Sequence, residues 1–528
     1  MAQISDLSTE LLLHIASFLP QIDLLNISLT NKCLRRSTKP ELYREYTNTR
    51  PYARSFKPFL RHMIERPDLA RHVHRLEFRW WTTLGNMNSE FSRFEYLGLT
   101  VDEYKFLADA ARSTGLISEV QHYEPTSGLL DEDEDKLWYE YFYSPLEYID
   151  DMSFDNKFCQ LLRAGLEDPQ VVLMIALLPN VREIVLQGVS YDLNNLLWRA
   201  PLHQFRALRK LTASAIDGTT AWPLSFFNDL IQSANNLETL EVYRAGDWVQ
   251  DFTGNWENGW RLCPLSLSSQ SLNLTQIMLE GCAFTYSVIK TLLSACQALT
   301  SFHYSVGGTY VGQDNFTCPE LVELLKAHKS TLKALKLDMF VNWDYDKDPG
   351  RLLSLIEFTQ LERLYVTSEL FVPGAFDDPD IPKSDRLCNR LPASLRVLSL
   401  TDDEVGYTTH QIHELLTVRS ERFPLLKTIR VQVPDKKRWV KSDIAKVLIA
   451  GVDVDITVDD IKEVEKANRT FFERWFDGHD WNEVKWAGGM YKKIKTESYW
   501  GSPNSEILEY SEWSTESEWS TEESDAEV

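Results

Sequence analysis

A pattern of six positions, Leu-x-x-Leu-x-Leu with other apolar residues allowed in place of leucine, recurs through the middle of the chain. Nine copies start at residues 181, 208, 237, 274, 299, 332, 361, 395 and 426, at intervals of 25 to 37 residues, and an early copy starts at residue 73. In most copies the last two apolar positions enclose a polar one, and this alternation predicts a strand with one buried and one free face. The intervals leave room for a helix after each strand.

Several of these intervals do carry helix-like sequence, at 222–234, 284–296, 319–328, 351–358 and 409–418. One strand and one helix per roughly 30 residues resembles a leucine-rich-repeat solenoid, whose repeats usually run about 20–29 residues. Here the repeats are longer and irregular, and only the copy ending at Cys282 extends to the family's Asn/Cys position. The alternative is an ordinary α/β domain with helices on both faces of a parallel sheet, but strands of that class usually read as continuous apolar runs.

The first fifty residues follow a different, helical pattern. Leu7, Leu11 and Ile15 recur at helical spacing, and Pro20 predicts the end of the first helix. Asp23 is a candidate cap of a second helix. Three short helices bury little apolar surface alone, so their excess of leucine indicates a partner surface. A helical cap on a larger fold, without a partner, is the alternative.

The same segment resembles an F-box. The resemblance lies in Glu10-Leu-Leu, Phe18-Leu-Pro, Asp23-Leu-Leu and the closing Pro40-Glu-Leu-Tyr, and it departs from the family at Ser8, where a proline is usual. Serine can start a helix by accepting an orphan backbone N–H. The resemblance implies that a Skp-family adaptor binds here, through Leu7, Glu10, Leu11, Leu12, Ile15, Leu19, Leu24, Leu25, Leu29 and Leu34.

The two resemblances together imply an α/β protein: a three-helix F-box followed by an irregular leucine-rich-repeat solenoid, similar to a large group of fungal F-box proteins. In that repeat family the residues flanking the last apolar positions face a concave binding surface. The positions implied for target binding are Lys210, Thr212, Glu241, Tyr243, Met278, Glu280, His303, Lys336, Arg363, Tyr365 and Arg430.

Composition limits the alternatives. The net charge of −23 disfavours a chain-wide nucleic-acid interface, which needs a basic footprint. Seven scattered cysteines without a Cys-x-x-Cys pair are typical of a reducing compartment. We find no secretory signal, and the apolar run 171–178 is too short to span a bilayer. We therefore expect a location in the cytoplasm, the nucleus or both, with no membrane partner.

The remaining sequence divides by charge and aromatic content. A basic stretch follows the F-box, an insertion carries the acidic run 131–135 and an aromatic stretch from Trp138, and the last 33 residues hold ten acidic residues and no basic one. We expect F-box 1–48, a basic helical linker with a first repeat 49–87, an insertion with an acidic loop 88–170, the solenoid 171–458, a C-terminal helical cap 459–495 and an acidic disordered tail 496–528.

Catalytic motifs do not stand out. The sequence has no Gly-x-x-x-x-Gly-Lys-Ser/Thr, Gly-x-Ser-x-Gly or His-Glu-x-x-His motif, and His410 and His413 have no further metal ligands beside them. We expect no catalytic residue, metal or cofactor. The resemblance implies a substrate-recognition subunit of a cullin–RING ubiquitin ligase of the SCF type, joined to the cullin through the adaptor. A scaffold that assembles a complex without degradation, and an enzyme built on the insertion near Trp138, are the alternatives.

Overall fold

The structure is a computed structural model, and the parts of the chain that it describes are interrupted by gaps. They are residues 4, 7–48, 56–79, 81, 99–120, 153–163, 165–189, 205–215, 222–250, 260–262, 264–306, 316–339, 350–367, 370, 386–401, 407–433 and 455–460. The acidic run 131–135, the aromatic stretch from Trp138, the predicted cap beyond 460 and the acidic tail lie outside these residues.

Three helices open the chain: α1 (Thr9–Ala16), α2 (Gln21–Thr30) and α3 (Lys32–Leu42). The predicted end of α1 before Pro20 is confirmed. The predicted cap of α2 is wrong, because Pro20 occupies the cap position and Asp23 lies in the first turn. At that place its carboxylate interacts favourably with the positive end of the helix dipole.

A twelve-stranded sheet follows, and every neighbouring pair of its strands is parallel. Its strands lie side by side in the order in which they occur along the chain. They are β1 (Glu45–Thr47), β2 (Arg75–Phe78), β3 (Glu183–Val189), β4 (Lys210–Ala215), β6 (Thr239–Tyr243), β10 (Gln276–Cys282), β11 (Ser301–Val306), β12 (Ala334–Asp338), β13 (Arg363–Thr367), β14 (Val397–Thr401), β15 (Thr428–Val433) and β16 (Asp455–Asp460).

The repeated sequence pattern accounts for ten of these strands, β2 and the nine that start with β3 and end with β15. In each of them the fourth position of the pattern is a fully buried side chain, and the register sets these positions side by side across the sheet. The row runs Leu76, Ile184, Leu211, Leu240, Ile277, Phe302, Leu335, Leu364, Leu398 and Ile429. Since side chains alternate along a strand, one face of the sheet forms the core and the polar positions lie on the other face.

Helices contribute to the same core. They are α4 (Phe56–Glu65), α5 (Pro67–Ala70), α6 (Val101–Ser113), α7 (Phe154–Arg163), α8 (Asp168–Leu177), α9 (Asn228–Ser233), α10 (Tyr286–Ala295), α11 (Cys318–Leu325), α12 (Tyr407–Thr417) and α13 (Arg419–Arg422). Turns of 3₁₀ helix occur at Leu224–Phe227, Lys326–His328 and Leu387–Asn389. Two small sheets pair β5 (Trp222–Pro223) with β7 (Ala245–Gly246), and β8 (Trp248–Gln250) with β9 (Trp260–Leu262). Helix α4 lies in the range 49–87, and α6 and α7 lie in the range 88–170.

The helix predicted at 351–358 is wrong. Leu352, Leu355 and Phe358 are fully buried, but residues 351–358 form no helix. The backbone N–H groups of Leu352 and Leu355 donate to the carbonyl oxygens of Leu370 and Arg390, each at 2.7 Å. A three-residue apolar period fits an extended segment bonded to neighbouring loops as well as it fits a helix, and that ambiguity caused the error.

Cys282 occupies a core position, as its place in the repeat predicts. Its side chain is fully buried, and burial raises the pKa of the thiol to about 12, so the sulfur behaves as a small apolar group. Among the described residues there is no group of three or more His, Cys, Asp or Glu arranged to hold a metal ion. No described helix is both long and apolar enough to cross a membrane.

Candidate adaptor and target interfaces

Exposed apolar side chains concentrate on the first two helices and the residues just before them. Twelve large apolar residues are exposed in the described parts of the chain, and eight of them lie between residues 4 and 29. The eight are Ile4, Leu7, Leu11, Ile15, Phe18, Ile22, Leu25 and Leu29. Scattered exposed leucines need no explanation, but a concentration of this size marks an interaction surface.

The positions implied for adaptor binding divide into two groups by burial. Leu7, Leu11, Ile15, Leu25 and Leu29 are exposed together with Glu10, and Leu19 is half-buried. Leu12, Leu24 and Leu34 are buried together with Ala16. The buried group packs α1, α2 and α3 together, and the exposed group is available to a partner.

Side-chain caps fix the ends of two of these helices. The Ser8 hydroxyl oxygen accepts a hydrogen bond from the backbone N–H of Leu11 at 3.4 Å, which is the role that the sequence predicts for serine at this position. Asn31 Oδ1 accepts from the N–H of Leu34 at 2.8 Å and starts α3. The substitution of the usual proline by Ser8 thus leaves the helix start satisfied.

The three helices are joined to the sheet through several polar contacts. Gln21 Nε2 donates to the carbonyl oxygens of Leu42 and Glu45, at 3.0 and 3.2 Å, and so ties the start of α2 to the entry of β1. Lys39 Nζ lies 2.6 Å from a carboxylate oxygen of Asp68, and hydrogen bonds from Arg66 and Lys39 lower the pKa of that carboxyl. The Tyr43 hydroxyl is 3.3 Å from His62 Nε2 on α4. Helices α1–α3 are therefore held against the start of the sheet.

The second candidate surface is the polar face of the sheet. The register aligns one residue from the middle of each strand into a row across the sheet, which we call the second row because another row precedes it along the strands. The second row is Thr47, Glu77, Val185, Thr212, Glu241, Met278, His303, Lys336, Tyr365, Ser399, Arg430 and Thr457. Two residues earlier on each strand lies the first row: Glu45, Arg75, Glu183, Lys210, Thr239, Gln276, Ser301, Ala334, Arg363, Val397, Thr428 and Asp455.

The register brings the implied target-binding residues onto this one face. Seven of them stand in the second row, in the continuous run from Thr212 through Lys336 and at Tyr365 and Arg430. Lys210 and Arg363 belong to the first row, and Tyr243 pairs with Glu280 in a third row. Thr212 is buried and Arg363 and Arg430 are exposed, while the remainder are half-buried.

Charges on this face are paired at the β2–β6 end. Arg75 and Arg79 contact the buried Glu77 carboxylate at 3.1 and 2.8 Å, and Arg75 also lies 3.5 Å from Glu183. Lys210 lies 2.7 Å from Glu241. Reasoning from sequence identified Lys210 and Glu241 but missed the Glu77 group, although the early copy at residue 73 places Glu77 at the polar position of that repeat.

His303 lies in the middle of the second row, beside Met278 and Lys336. Its Nε2 is buried and has no hydrogen-bond partner among the described residues. Burial, and secondarily the Lys336 cation, lower the pKa of the imidazole to about 3, so His303 is neutral at physiological pH.

Comparison with known proteins identifies one segment. No curated protein matches the chain. Among solved structures, one match is the crystal structure of a Bacteroides fragilis protein, with a TM-score of 0.26 and 14% identity over 53% of this chain and 66% of that one. The F-box-like family model matches residues 4–49, the segment that contains α1, α2 and α3. The chain thus carries an F-box-like domain at residues 4–49, followed by a mixed helix–strand region with a parallel sheet.

Proposed function

We propose that this protein is the substrate-recognition subunit of a cullin–RING ubiquitin ligase of the SCF type. A Skp-family adaptor binds α1–α3 and links the chain to a cullin, and the polar face of the sheet binds a target protein. The observation that carries this proposal is the concentration of exposed apolar side chains in the segment that the F-box-like model matches.

The adaptor surface in this proposal is the exposed group: Leu7, Glu10, Leu11, Ile15, Leu25 and Leu29, with the edge of Leu19. Full burial of a leucine or isoleucine side chain contributes about 1.5–3 kcal/mol, so a few of these residues suffice for tight binding. Leu12, Leu24 and Leu34 act indirectly, by holding the three helices in place.

The sheet, in this proposal, is an irregular leucine-rich-repeat solenoid. The sequential order of its parallel strands and the repeat of one buried position per strand support this assignment. Stacked repeats of this kind provide an extended surface for binding another protein. The polar face, with its mixture of charged, aromatic and thioether side chains, is the surface left for that role.

The mechanism is one of proximity. The hydrogen bonds and ion pair that join α1–α3 to the sheet keep the adaptor and the bound target at a fixed separation. Rigid presentation raises the effective concentration of target lysines near the ubiquitin-conjugating enzyme. The chain itself forms and breaks no covalent bond in this mechanism.

A double charge substitution tests the adaptor surface. Leu11→Asp with Ile15→Asp places two carboxylates in the proposed contact, and we expect adaptor affinity to fall by at least about 100-fold because buried charges are strongly unfavourable. The matched control is Ile356→Asp with Leu425→Asp, which makes the same change at exposed apolar positions on other parts of the chain. Affinity for a purified Skp-family adaptor, with far-UV circular dichroism of each variant, measures the effect.

Equal affinity of both double variants would overturn the proposal. The same wild-type chain and Leu11→Asp/Ile15→Asp variant, purified from cells, separate a ligase from a scaffold. Recovery of a cullin with the wild type and a longer target half-life with the variant support the ligase. Recovery of the adaptor without a cullin supports a scaffold that assembles complexes without degradation.

A further inference from the structure

The two rows on the polar face of the sheet change in charge from one end to the other. Across β2, β3, β4 and β6 the rows hold two cations and three carboxylates, Arg75, Lys210, Glu77, Glu183 and Glu241, all in ion pairs. Across β10 and β11 they hold four uncharged residues, Gln276, Met278, Ser301 and His303, because His303 stays neutral. Arg79, which contacts Glu77, adds a third cation, so from β2 to β11 the three carboxylates of these two rows are matched by three cations.

Across β12–β15 the same rows hold three cations and no carboxylate. The cations are Lys336, Arg363 and Arg430, which we call the cationic patch, and their companions are Ala334, Tyr365, Val397, Ser399 and Thr428. None of the three cations forms an ion pair or hydrogen bond with another residue in the described ranges. In a chain of net charge −23, three cations without a carboxylate between them are unexpected on a surface that serves only for solubility.

The patch has defined edges. Asp338 lies two residues beyond Lys336 on β12, and at the other side Asp455 and Asp459 lie at register positions diagonal to Arg430. Arg430 therefore stands at the border of the patch, and Lys336 and Arg363 stand at its centre. Next to Lys336, the buried Nε2 of His303 lacks a hydrogen-bond partner in the described structure. Because this atom is buried, it is an unsatisfied polar position beside the patch and does not itself contact a surface ligand.

Tyr365 gives the patch an apolar contact. Its ring stands between Lys336 and Ser399 in the second row and is half-buried. Tyrosine and arginine are enriched in the energetically important centres of protein interfaces. The surface thus offers cations and one aromatic ring, which together suit a peptide that carries carboxylates.

We propose that an acidic segment of the target protein binds across β12–β15, with its carboxylates on Lys336 and Arg363 and its backbone or an apolar side chain on Tyr365. This inference rests on the proposed function, since it names the chemistry of the target. Neighbouring strands are about 4.8 Å apart, so Lys336 and Arg430 are about 14 Å apart, which an extended peptide of about four residues covers. A run of Asp or Glu within four to six residues is the expected signature of the bound segment.

The test uses the full chain and a fluorescein-labelled peptide of six glutamates flanked by glycine and serine, followed by fluorescence anisotropy. A peptide with serines in place of the glutamates is the neutral control. We expect the acidic peptide to bind at least about tenfold more tightly than the neutral one at low ionic strength and to weaken as salt is added.

Charge reversal at the centre of the patch locates the site. We expect Lys336→Glu with Arg363→Glu to weaken binding of the acidic peptide by at least about tenfold. The matched control is Lys333→Glu with Lys427→Glu, which makes the same change in net charge at two exposed lysines. These lysines immediately precede β12 and β15, one residue before a first-row position, and so do not belong to the rows of the polar face. This control should retain most of the affinity.

Three results would overturn the inference: equal binding of the acidic and neutral peptides, equal loss in both double variants, or tighter binding of a single-stranded RNA of six nucleotides than of the peptide. Adaptor affinity measured on the same samples keeps the two proposals apart. Loss of peptide binding in the Lys336→Glu/Arg363→Glu variant, with adaptor binding intact, supports the cationic patch. A wild-type chain that fails to bind any adaptor overturns the proposed function, and the peptide result then describes only the binding surface of the sheet.

Discussion

The ring of Tyr46 stacks on the ring of Phe59, with centroids 4.0 Å apart and planes inclined by 16°. Tyr46 belongs to β1, which directly follows the F-box-like helices, and Phe59 belongs to α4. This contact packs the first strand of the sheet against the helix that follows it.

We expect Phe59→Leu to weaken the packing of β1 against α4 without exposing the apolar surface between them. The substitution keeps most of the apolar volume and removes the aromatic stacking, which contributes about 0.5–1.5 kcal/mol beyond area burial. Amide exchange of residues 45–47 should become faster, while exchange in β12–β15 stays at the wild-type rate. Unchanged exchange at β1 would show that the stacking does not hold this strand.

The cap of α1 makes a second prediction, because Ser8 stands where the F-box family usually has proline. Ser8 has φ −62° and ψ 155°, and a proline ring fits that φ without strain. Ser8→Pro should keep adaptor affinity within about twofold. Ser8→Ala removes the capping oxygen and should destabilise α1 by about 1 kcal/mol.

Adaptor affinity and thermal unfolding of the two Ser8 variants check this prediction. A larger loss of affinity with proline than with alanine would contradict the prediction, because it would show that the proline ring does not fit at this position. A loss of more than about tenfold with both variants would mean that the hydroxyl group itself contacts the adaptor.

Glu77 supports the start of the sheet. Its side chain is 8% exposed and contacts Arg75 and Arg79, so Glu77→Gln leaves two cations beside a neutral amide. We expect a loss of about 2 kcal/mol, since the substitution removes two charge-assisted hydrogen bonds to a buried carboxylate, while the arginines that remain are partly exposed. Urea unfolding followed by fluorescence measures the loss.

The control for Glu77 is Glu238→Gln. Glu238 pairs with Arg209 at 2.6 Å, but both side chains are about half exposed, and exposed pairs contribute at most about 1 kcal/mol. Similar losses for the two variants would contradict the assigned role of Glu77.

His303 predicts a dependence of stability on pH. The folded pKa is about 3 and the ordinary value is 6.5, so between these values the unfolded chain binds a proton that the folded chain does not. The free energy of unfolding is therefore not reduced by His303 above pH 6.5, and it decreases progressively as the pH falls from 6.5 towards 3. His303→Gln should reduce the loss of stability between pH 7 and pH 5 by about 1–2 kcal/mol.

Urea midpoints of wild type and His303→Gln at pH 7 and pH 5 test this. Parallel decreases in the two proteins would mean that His303 is protonated in the folded chain at pH 5.

The strands were predictable because each repeat carries its own local signal. Alternation of apolar and polar residues specifies which side of a strand is buried, and Ile184, Leu240 and Leu335 are buried as that signal requires. The first helices were predictable for the same reason. The strands β1 and β16 carry no full copy of the pattern, and their existence depends on pairing with a neighbour, which sequence periodicity does not report.

The positions of the candidate site residues were predictable from the sequence, but their burial and their ion pairs were not. The repeat pattern places Lys210 and Lys336 at equivalent polar positions, but only the structure distinguishes the lysine that is neutralised by Glu241 from the lysine without an anionic partner among the described residues. Likewise, the helical pattern did not separate the exposed Leu11 from the buried Leu12. Both distinctions arise from contacts between segments that are distant along the chain.

The order of the strands also bears on biosynthesis. Each strand of the large sheet pairs with the one that precedes it among the described strands, so every new segment finds its neighbour already synthesised. Contacts between segments close in sequence form early, and domains fold from the N-terminus as the ribosome elongates the chain. The F-box-like helices and β1 emerge before the other strands of this sheet, and β1 offers an edge to which β2 can pair. A nascent chain truncated after β2 or any later strand of this sheet would then already hold the F-box-like helices together with paired strands.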